Sequence, residues 1–289
     1  MIKFTITGVP EHFNYPWRQL IKKQPFRDLG LELVWKDESR GSGKMLEQLD
    51  SGETNIAIVL TESFFKRYEE KPDLKLLGMY VKSPLVWGIH TSSSSKFTSP
   101  EEISDPHFLI SRKGSGSDLM SKVLADREGW DLEKAEYEIV NNLPGALEAM
   151  KNQKNSLFLW EKFTTKPFVD SGAMRRIGEI PSPWPCFVIA TKNEIDKATF
   201  SFFQKLMNEL YKETSAVQNS ENSSFYISKF YHLDMKDIEE WKAQTRWQTD
   251  EVISKNLMEN AIQIMLRFKI LKSELDWKSA FVNDLVKVQ

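Results

Sequence analysis

The sequence predicts an α/β protein of two similar lobes with a helical carboxyl-terminal tail, and three observations carry that prediction. A helix, a short polar turn and a strand recur about a hundred residues apart. The first copy is Gly43, Leu46-Glu47-Gln48-Leu49 and Asn55 to Glu62; the second is Gly145, Leu147-Glu148-Ala149-Met150 and Ser156 to Glu161. Each copy closes an apolar run with an acid, as a strand buried on both faces does where its carboxyl end reaches solvent. Strand and helix patterns alternate as far as Thr191, after which only helical patterns remain. Helix-turn-strand units are common in any α/β chain, so coincidence is the rival explanation of the repeat. If the repeat is real, two lobes face one cleft, because α/β sheets bind ligands at the carboxyl ends of their strands.

Taken in order, the chain opens on the alternating strand Ile2 to Gly8. A loop from Val9 precedes a helix from Trp17 to Gln24, with Pro16 suited to its first turn. Leu31 to Trp35 is the second strand, and the first repeat copy supplies a helix and a strand ending at Glu62. A helix from Phe64 to Glu70 and a strand from Leu74 to Val81 follow. Pro84 to His90 closes the first lobe, and Thr91-Ser92-Ser93-Ser94-Ser95 reads as the crossover. The second lobe holds a strand from Phe108 to Ser111, a glycine-serine loop, a helix from Asp118 to Glu128, a strand from Glu136 to Val140 and the second repeat copy. Arg175 to Ile180 runs into the stiff segment Pro181-Ser182-Pro183-Trp184-Pro185, the return crossover, and Cys186 to Thr191 rejoins the first sheet. The predicted domains are residues 1–90 with 186–289, and residues 91–185. Helices complete the chain: Lys197 to Thr214, then several amphipathic ones, the strongest from Asp250 to Phe268 with Ile253, Leu257, Ala261, Ile264, Met265 and Phe268 on one face.

A chain of 289 residues is long enough to bury roughly three quarters of its unfolded surface without a staple. At 40% hydrophobic and 28% charged residues with net charge −2, it offers no electrostatic case for nucleic acid. The single cysteine, Cys186, excludes an internal disulfide and a Cys-rich zinc site, and in its apolar strand it reads as a small buried hydrophobe. No apolar stretch approaches ~18 residues, so no membrane span is expected. Met1 leads directly into a strand without the basic start and apolar core of a secretory signal; a cytoplasmic location is expected unless a leader has been removed.

The segments Gly52-Glu53-Thr54-Asn55-Ile56-Ala57-Ile58-Val59-Leu60-Thr61-Glu62, Lys113-Gly114-Ser115-Gly116-Ser117, Phe158-Leu159-Trp160-Glu161-Lys162-Phe163 and Pro183-Trp184-Pro185-Cys186-Phe187, in that order, resemble the type II periplasmic-binding-protein fold. Within it they are similar to the branch that contains ABC-transporter solute-binding proteins and the fungal thiamine-pyrimidine synthases. The resemblance runs through about Thr191 and covers the helical tail only loosely. It implies two lobes that close on a small molecule by hinge bending at the two crossovers. The fold hosts many functions, so the ligand is open.

Candidate ligand contacts follow from that arrangement. The loop after the first strand, with Gly8, Pro10, Glu11, His12 and Asn14, stands where such folds place a ligand wall, although its glycine and proline also suit a plain turn. Gly114, Ser115, Gly116 and Ser117 precede a helix and leave backbone N–H groups for an anionic or carbonyl oxygen, with Arg112 beside them; alternatively Ser117 only caps the helix. Thr61, Glu62 and Glu161 favour a cationic or N–H-donating ligand, and the indoles of Trp17, Trp87, Trp160 and Trp184 offer faces for a flat ring. Together these describe a small zwitterionic or heteroaromatic ligand, such as a pyrimidine or thiamine precursor.

Catalytic signatures are sparse. His12, His90, His107 and His232 show no metal spacing, no Lys-Ser/Thr phosphate loop is present, and no cofactor is expected. A binding protein is the first reading. A cofactor-biosynthetic enzyme related to the pyrimidine synthases is the second, with His12 as its general base, but the cysteine-rich iron-associated segment of those relatives is missing here. A delivery partner for a membrane permease is the third, against which the missing leader stands.

Overall fold

The computed structural model describes residues 1–289, and the chain divides into two units. Unit 1 comprises Met1–Ser83, Trp184–Leu266 and Leu271–Gln289; unit 2 comprises Pro84–Pro183 and Arg267–Ile270.

The first leg of unit 1 is β1 (Ile2–Gly8), α1 (Tyr15–Lys23), β2 (Leu31–Asp37), α2 (Ser42–Ser51), β3 (Ile56–Leu60), α3 (Thr61–Glu70) and β4 (Leu74–Val81). Unit 2 then contains β5 (Val86–Thr91), β6 (His107–Ile110), α4 (Gly116–Glu128), β7 (Glu136–Ile139), α5 (Leu143–Asn152), β8 (Leu157–Glu161), α6 (Lys166–Asp170) and β9 (Arg175–Pro181). The chain returns to unit 1 as β10 (Phe187–Lys192), α7 (Lys197–Asn219), α8 (Ser223–Tyr231), α9 (Met235–Gln244), β11 (Val252–Ile253), α10 (Lys255–Arg267) and β12 (Lys287–Val288).

Each unit has one five-stranded mixed sheet, and the two sheets share one plan. In unit 1 the order is β2-β1-β3-β10-β4, with β1 parallel to β2 and β3, and β10 antiparallel to β3 and β4. In unit 2 it is β7-β6-β8-β5-β9, with β6 parallel to β7 and β8, and β5 antiparallel to β8 and β9. The repeat in the sequence is therefore structural: α2 and β3 correspond to α5 and β8. Both central strands read as apolar runs because both faces are covered. Ile56 to Val59 and Leu157 to Leu159 are buried, and each of these side chains other than that of Ala57 contributes about 2 kcal/mol relative to exposure.

Several expected boundaries move. The segment Val86–Thr91 does not close the first lobe; it lies in the unit 2 sheet, where Trp87 stands opposite Glu161 and Ile180. The outward crossover is thus the stretch around Lys82 to Leu85 rather than the serine-rich one, and this shift is decided by pairing with β8 and β9, far along the chain, which no local pattern encodes. β3 ends at Leu60, and Thr61 and Glu62 already belong to α3. The helix expected from Asp250 begins at Lys255, after β11 pairs with β12. Its buried residues are Met258, Ala261, Ile262 and Met265, whereas Leu257 is exposed, so the covered face is rotated by about one residue from the expected one.

The tail packs on unit 1. α7 lays Phe203, Leu206, Met207 and Leu210 into the core, and Trp241 and Trp247 meet edge to face at 5.3 Å. No helix is long and apolar enough to cross a membrane.

Candidate functional site

In unit 1 the parallel strands deliver polar side chains to their carboxyl ends. β1 ends at Gly8, where an added Cβ would stand 2.6 Å from Trp35 Cη2 and 2.9 Å from Asn14 Nδ2, so only glycine lets the indole lie against the strand end. The following loop is tight: the Glu11 N–H and Asn14 Nδ2 each donate to the Val9 carbonyl at 2.8 Å. Pro10 is exposed and Glu11 half-buried, whereas His12, Asn14 and Trp17 are buried. The His12 ring lies 4.3 Å from that of Trp241 and 5.1 Å from that of Phe13. Burial lowers its pKa to about 3, which keeps the imidazole neutral. Trp17 belongs to the core and presents no face to a ligand.

Glu62 sits in the first turn of α3, 1% exposed, and the Trp184 indole Nε1 donates to its Oε2 at 2.7 Å. Burial raises the Glu62 pKa to about 7, against the weaker opposing pull of its own helix-start N–H and of the indole. Thr61 ties this turn to the returning chain, its N–H and hydroxyl both donating to the Cys186 carbonyl. Trp184 is therefore a buried hydrogen-bond donor rather than an open stacking face.

A second cluster in unit 1 escaped the sequence reading. Glu38, just past β2 and 4% exposed, accepts from Arg40 Nε at 2.8 Å, Arg40 Nη2 at 2.7 Å, the Arg40 N–H at 3.0 Å and Gln48 Nε2 at 3.0 Å. The Arg40 guanidinium holds the Glu38 carboxyl below its ordinary range and itself remains largely in solvent. The local signal is the pair Glu38 and Arg40 two residues apart beside a helix start, a spacing common to ordinary polar loops. Ser42, at the start of α2, ties that helix to the end of β3, its hydroxyl accepting from the Leu60 N–H at 2.9 Å.

In unit 2, Glu161 ends β8 and is 3% exposed; its Oε2 accepts the N–H groups of Phe163 at 3.0 Å and Thr164 at 2.6 Å. Burial again raises its pKa to about 7, opposed by these bonds and by Lys162, which pairs with Glu179 at 2.8 Å. The Thr165 hydroxyl binds His90 Nε2 at 2.8 Å, and burial lowers the pKa of that histidine to about 4. Trp87 is buried within the sheet. Trp160 is half-buried: it stacks on Phe158 at 5.3 Å and packs against the cluster of Leu109, Val140, Ala146, Met150 and Met174.

The glycine-serine loop is largely occupied by its own partners. Ser115, not Ser117, caps α4, accepting from the Asp118 N–H at 3.4 Å. Gly114, at φ +75°, donates to Asp118 Oδ2 at 2.6 Å, and Ser117 Oγ accepts from the Ser111 N–H at 3.0 Å. Gly116 and Ser117 form the first turn of the helix, with Arg112 half-buried before the loop. Ser115→Ala is expected to lower stability by about 1 kcal/mol through loss of the cap, read as a drop of a few degrees in the unfolding midpoint; no change would mean that Ser117 takes over the capping role.

No three His, Cys, Asp or Glu side chains gather closely enough to hold a metal ion. A cavity of 490 Å³ in unit 2, lined in part by Lys96, His107 and Ser156, lies at the amino ends of β6 and β8, the opposite end from Glu161.

Residues 87–180 match the family described as Ca3427-like PBP. No curated protein matches the sequence. Among solved structures, the Candida albicans CA3427 gene product, described as exhibiting the generic periplasmic binding protein structural fold, aligns over 100% of this chain and 99% of its own at TM-score 0.85 and 23% identity. The alkanesulfonate-binding protein SsuA from Xanthomonas axonopodis pv. citri, bound to MOPS, aligns over 100% and 99% at TM-score 0.75 and 14% identity. A ligand-binding component of an ABC-type import system from Staphylococcus aureus, with zinc bound, aligns over 99% and 98% at TM-score 0.76 and 13% identity.

Proposed function

From the premise that the chain has the type II periplasmic-binding-protein-like fold, we propose that it is a small-molecule-binding protein whose ligand is taken up at the carboxyl ends of the parallel strands. The observation that carries this reading is a buried carboxyl group at the carboxyl end of the central strand in each unit, Glu62 in the first turn of α3 just after β3 and Glu161 closing β8. Trp184 Nε1 donates to Oε2 of Glu62, and the Phe163 and Thr164 N–H groups to Oε2 of Glu161; each carboxyl has further lone pairs with which to accept a ligand N–H. The start of α4 in unit 2 favours negative charge, met in part by its own Asp118, and the Arg40 guanidinium beyond β2 is paired with Glu38. Acceptors for N–H groups in each unit fit a zwitterionic or heteroaromatic ligand. The MOPS carried by the SsuA neighbour is itself a zwitterionic sulfonate, so aminosulfonates join pyrimidines, pyridoxal derivatives and amino acids as candidates.

Thermal unfolding against such a panel tests the proposal. A ligand at a hundred times its dissociation constant adds ~2.7 kcal/mol to the native state and raises the midpoint by several degrees. Glu62→Gln and Glu161→Gln, singly and together, are expected to weaken the responding ligand with the fold retained. A panel without any response, or unchanged affinity in the double variant, would overturn the assignment. Catalysis through His12 finds no support in its surroundings: a neutral imidazole enclosed by aromatic rings, with a pKa of about 3, is poorly matched to proton abstraction near neutral pH.

A further inference from the structure

On unit 1, α1, the edge strand β2 and α8 border an open surface cavity of 650 Å³, within the size range of small-molecule sites. Its lining is chemically one-sided. Arg18, Lys22 and Lys229 supply three positive charges, Trp35, Tyr226 and Phe230 supply ring faces, and no acid lines it. Asp37 engages Arg18 from outside the cavity, which leaves the two lysines as the excess charge. The Arg18 guanidinium stands 4.7 Å over the Trp35 ring and 5.9 Å from the Phe230 centroid, so the ion pair also holds an aromatic wall in place. α8 leaves Phe225 49%, Tyr226 54% and Phe230 48% exposed, three large rings in water within six residues, where a helix of a self-contained fold would carry polar side chains. Both lysines are exposed beside these rings, Lys229 with its Nζ 5.7 Å from the Phe225 centroid.

We infer that this cavity is a second ligand site, separate from Glu62 and Glu161, that takes a planar aromatic anion. The ring lies against Tyr226 and Phe230, and the anionic group meets Lys22 and Lys229. Flat apolar surface recognises the ring, and the uncompensated charge selects an anion over its neutral analogue.

The test uses 2-naphthoate as probe, with 2-naphthamide as the neutral analogue and cyclohexanecarboxylate as the non-aromatic one, titrated into the full chain by calorimetry or ligand-observed NMR. Saturable binding of naphthoate is expected, at least tenfold weaker for either comparison compound. Tyr226→Ala and a Lys22→Glu/Lys229→Glu double variant change exposed side chains, so the fold survives, as an unaltered unfolding midpoint would verify. Each is expected to weaken naphthoate tenfold or more, while Glu62→Gln leaves it unchanged. Equal affinity for the amide, insensitivity to both cavity variants, or loss of binding in Glu62→Gln would each overturn the proposal. So would variant-sensitive binding to anionic phospholipid vesicles without any binding of naphthoate, because the same rings and cations would then form a membrane-surface contact.

Discussion

Gly145→Ala is expected to destabilise unit 2 by about 3 kcal/mol, lowering its unfolding midpoint by on the order of ten degrees. An added Cβ would stand 1.9 Å from the Val140 carbonyl oxygen, a backbone atom that no rotamer change can move. That oxygen is fixed from both sides: the Val140 N–H donates to the Ile110 carbonyl at 2.8 Å, extending the β6–β7 ladder, and the Asn142 N–H donates to the Val140 carbonyl at 2.8 Å. Asn141 between them adopts φ +66°, and Asn142 caps α5 by accepting from the Gly145 N–H at 3.0 Å. Relief therefore requires moving the end of the sheet or the start of the helix. Alanine in a helix is favoured over glycine by up to about 1 kcal/mol, so the net sign reports which effect wins. A midpoint that rises or stays level on chemical or thermal unfolding would show that the turn yields and that close approach is not what Gly145 serves.

Replacing both buried acids by glutamine is expected to flatten the fall of stability between about pH 4.5 and 7. The Glu62 and Glu161 carboxyls titrate near 4.5 when unfolded and near 7 when folded. Between those values the folded chain keeps protons that the unfolded chain releases, so stability declines as pH rises through that window and is lowest above about 7, by about 3 kcal/mol per group. His12 and His90 act in the opposite sense. Their folded values of about 3 and about 4 lie below the ordinary 6.5, so their contribution is complete above 6.5 and is lost as pH falls toward the folded values. The two effects oppose each other between pH 4.5 and 6.5, and the wild-type profile alone cannot separate them. The difference between the wild type and Glu62→Gln/Glu161→Gln does. The variant should gain on the wild type steadily from pH 4.5 to 7 and hold a constant advantage beyond, because glutamine still accepts from Trp184 and from the turn N–H groups without carrying charge. A difference independent of pH would mean that the two carboxyls stay ionised when folded.

The amino-acid sequence by itself determined the class of the fold, the two central strands and the correspondence between them. Those rest on local signals: the apolar runs of β3 and β8, the helices before them and the spacing of the turns, each set by backbone period and burial within one segment. Membership of β5 in the second sheet rested instead on pairing with β8 and β9, which is long-range and invisible to any window. Burial on both faces also erases the alternation that would say which way a strand residue points. Trp160 and Glu161 were thus legible as a pair at a strand end, but not as one half-buried ring stacked on Phe158 and one carboxyl folded back onto its own turn. The Glu62 environment needed the tertiary structure most, since its indole donor lies 122 residues away in sequence. A carboxylate in an open cleft and one titrating near 7 share the same residue name; only enclosure by the fold, which strips water from the charge, distinguishes them.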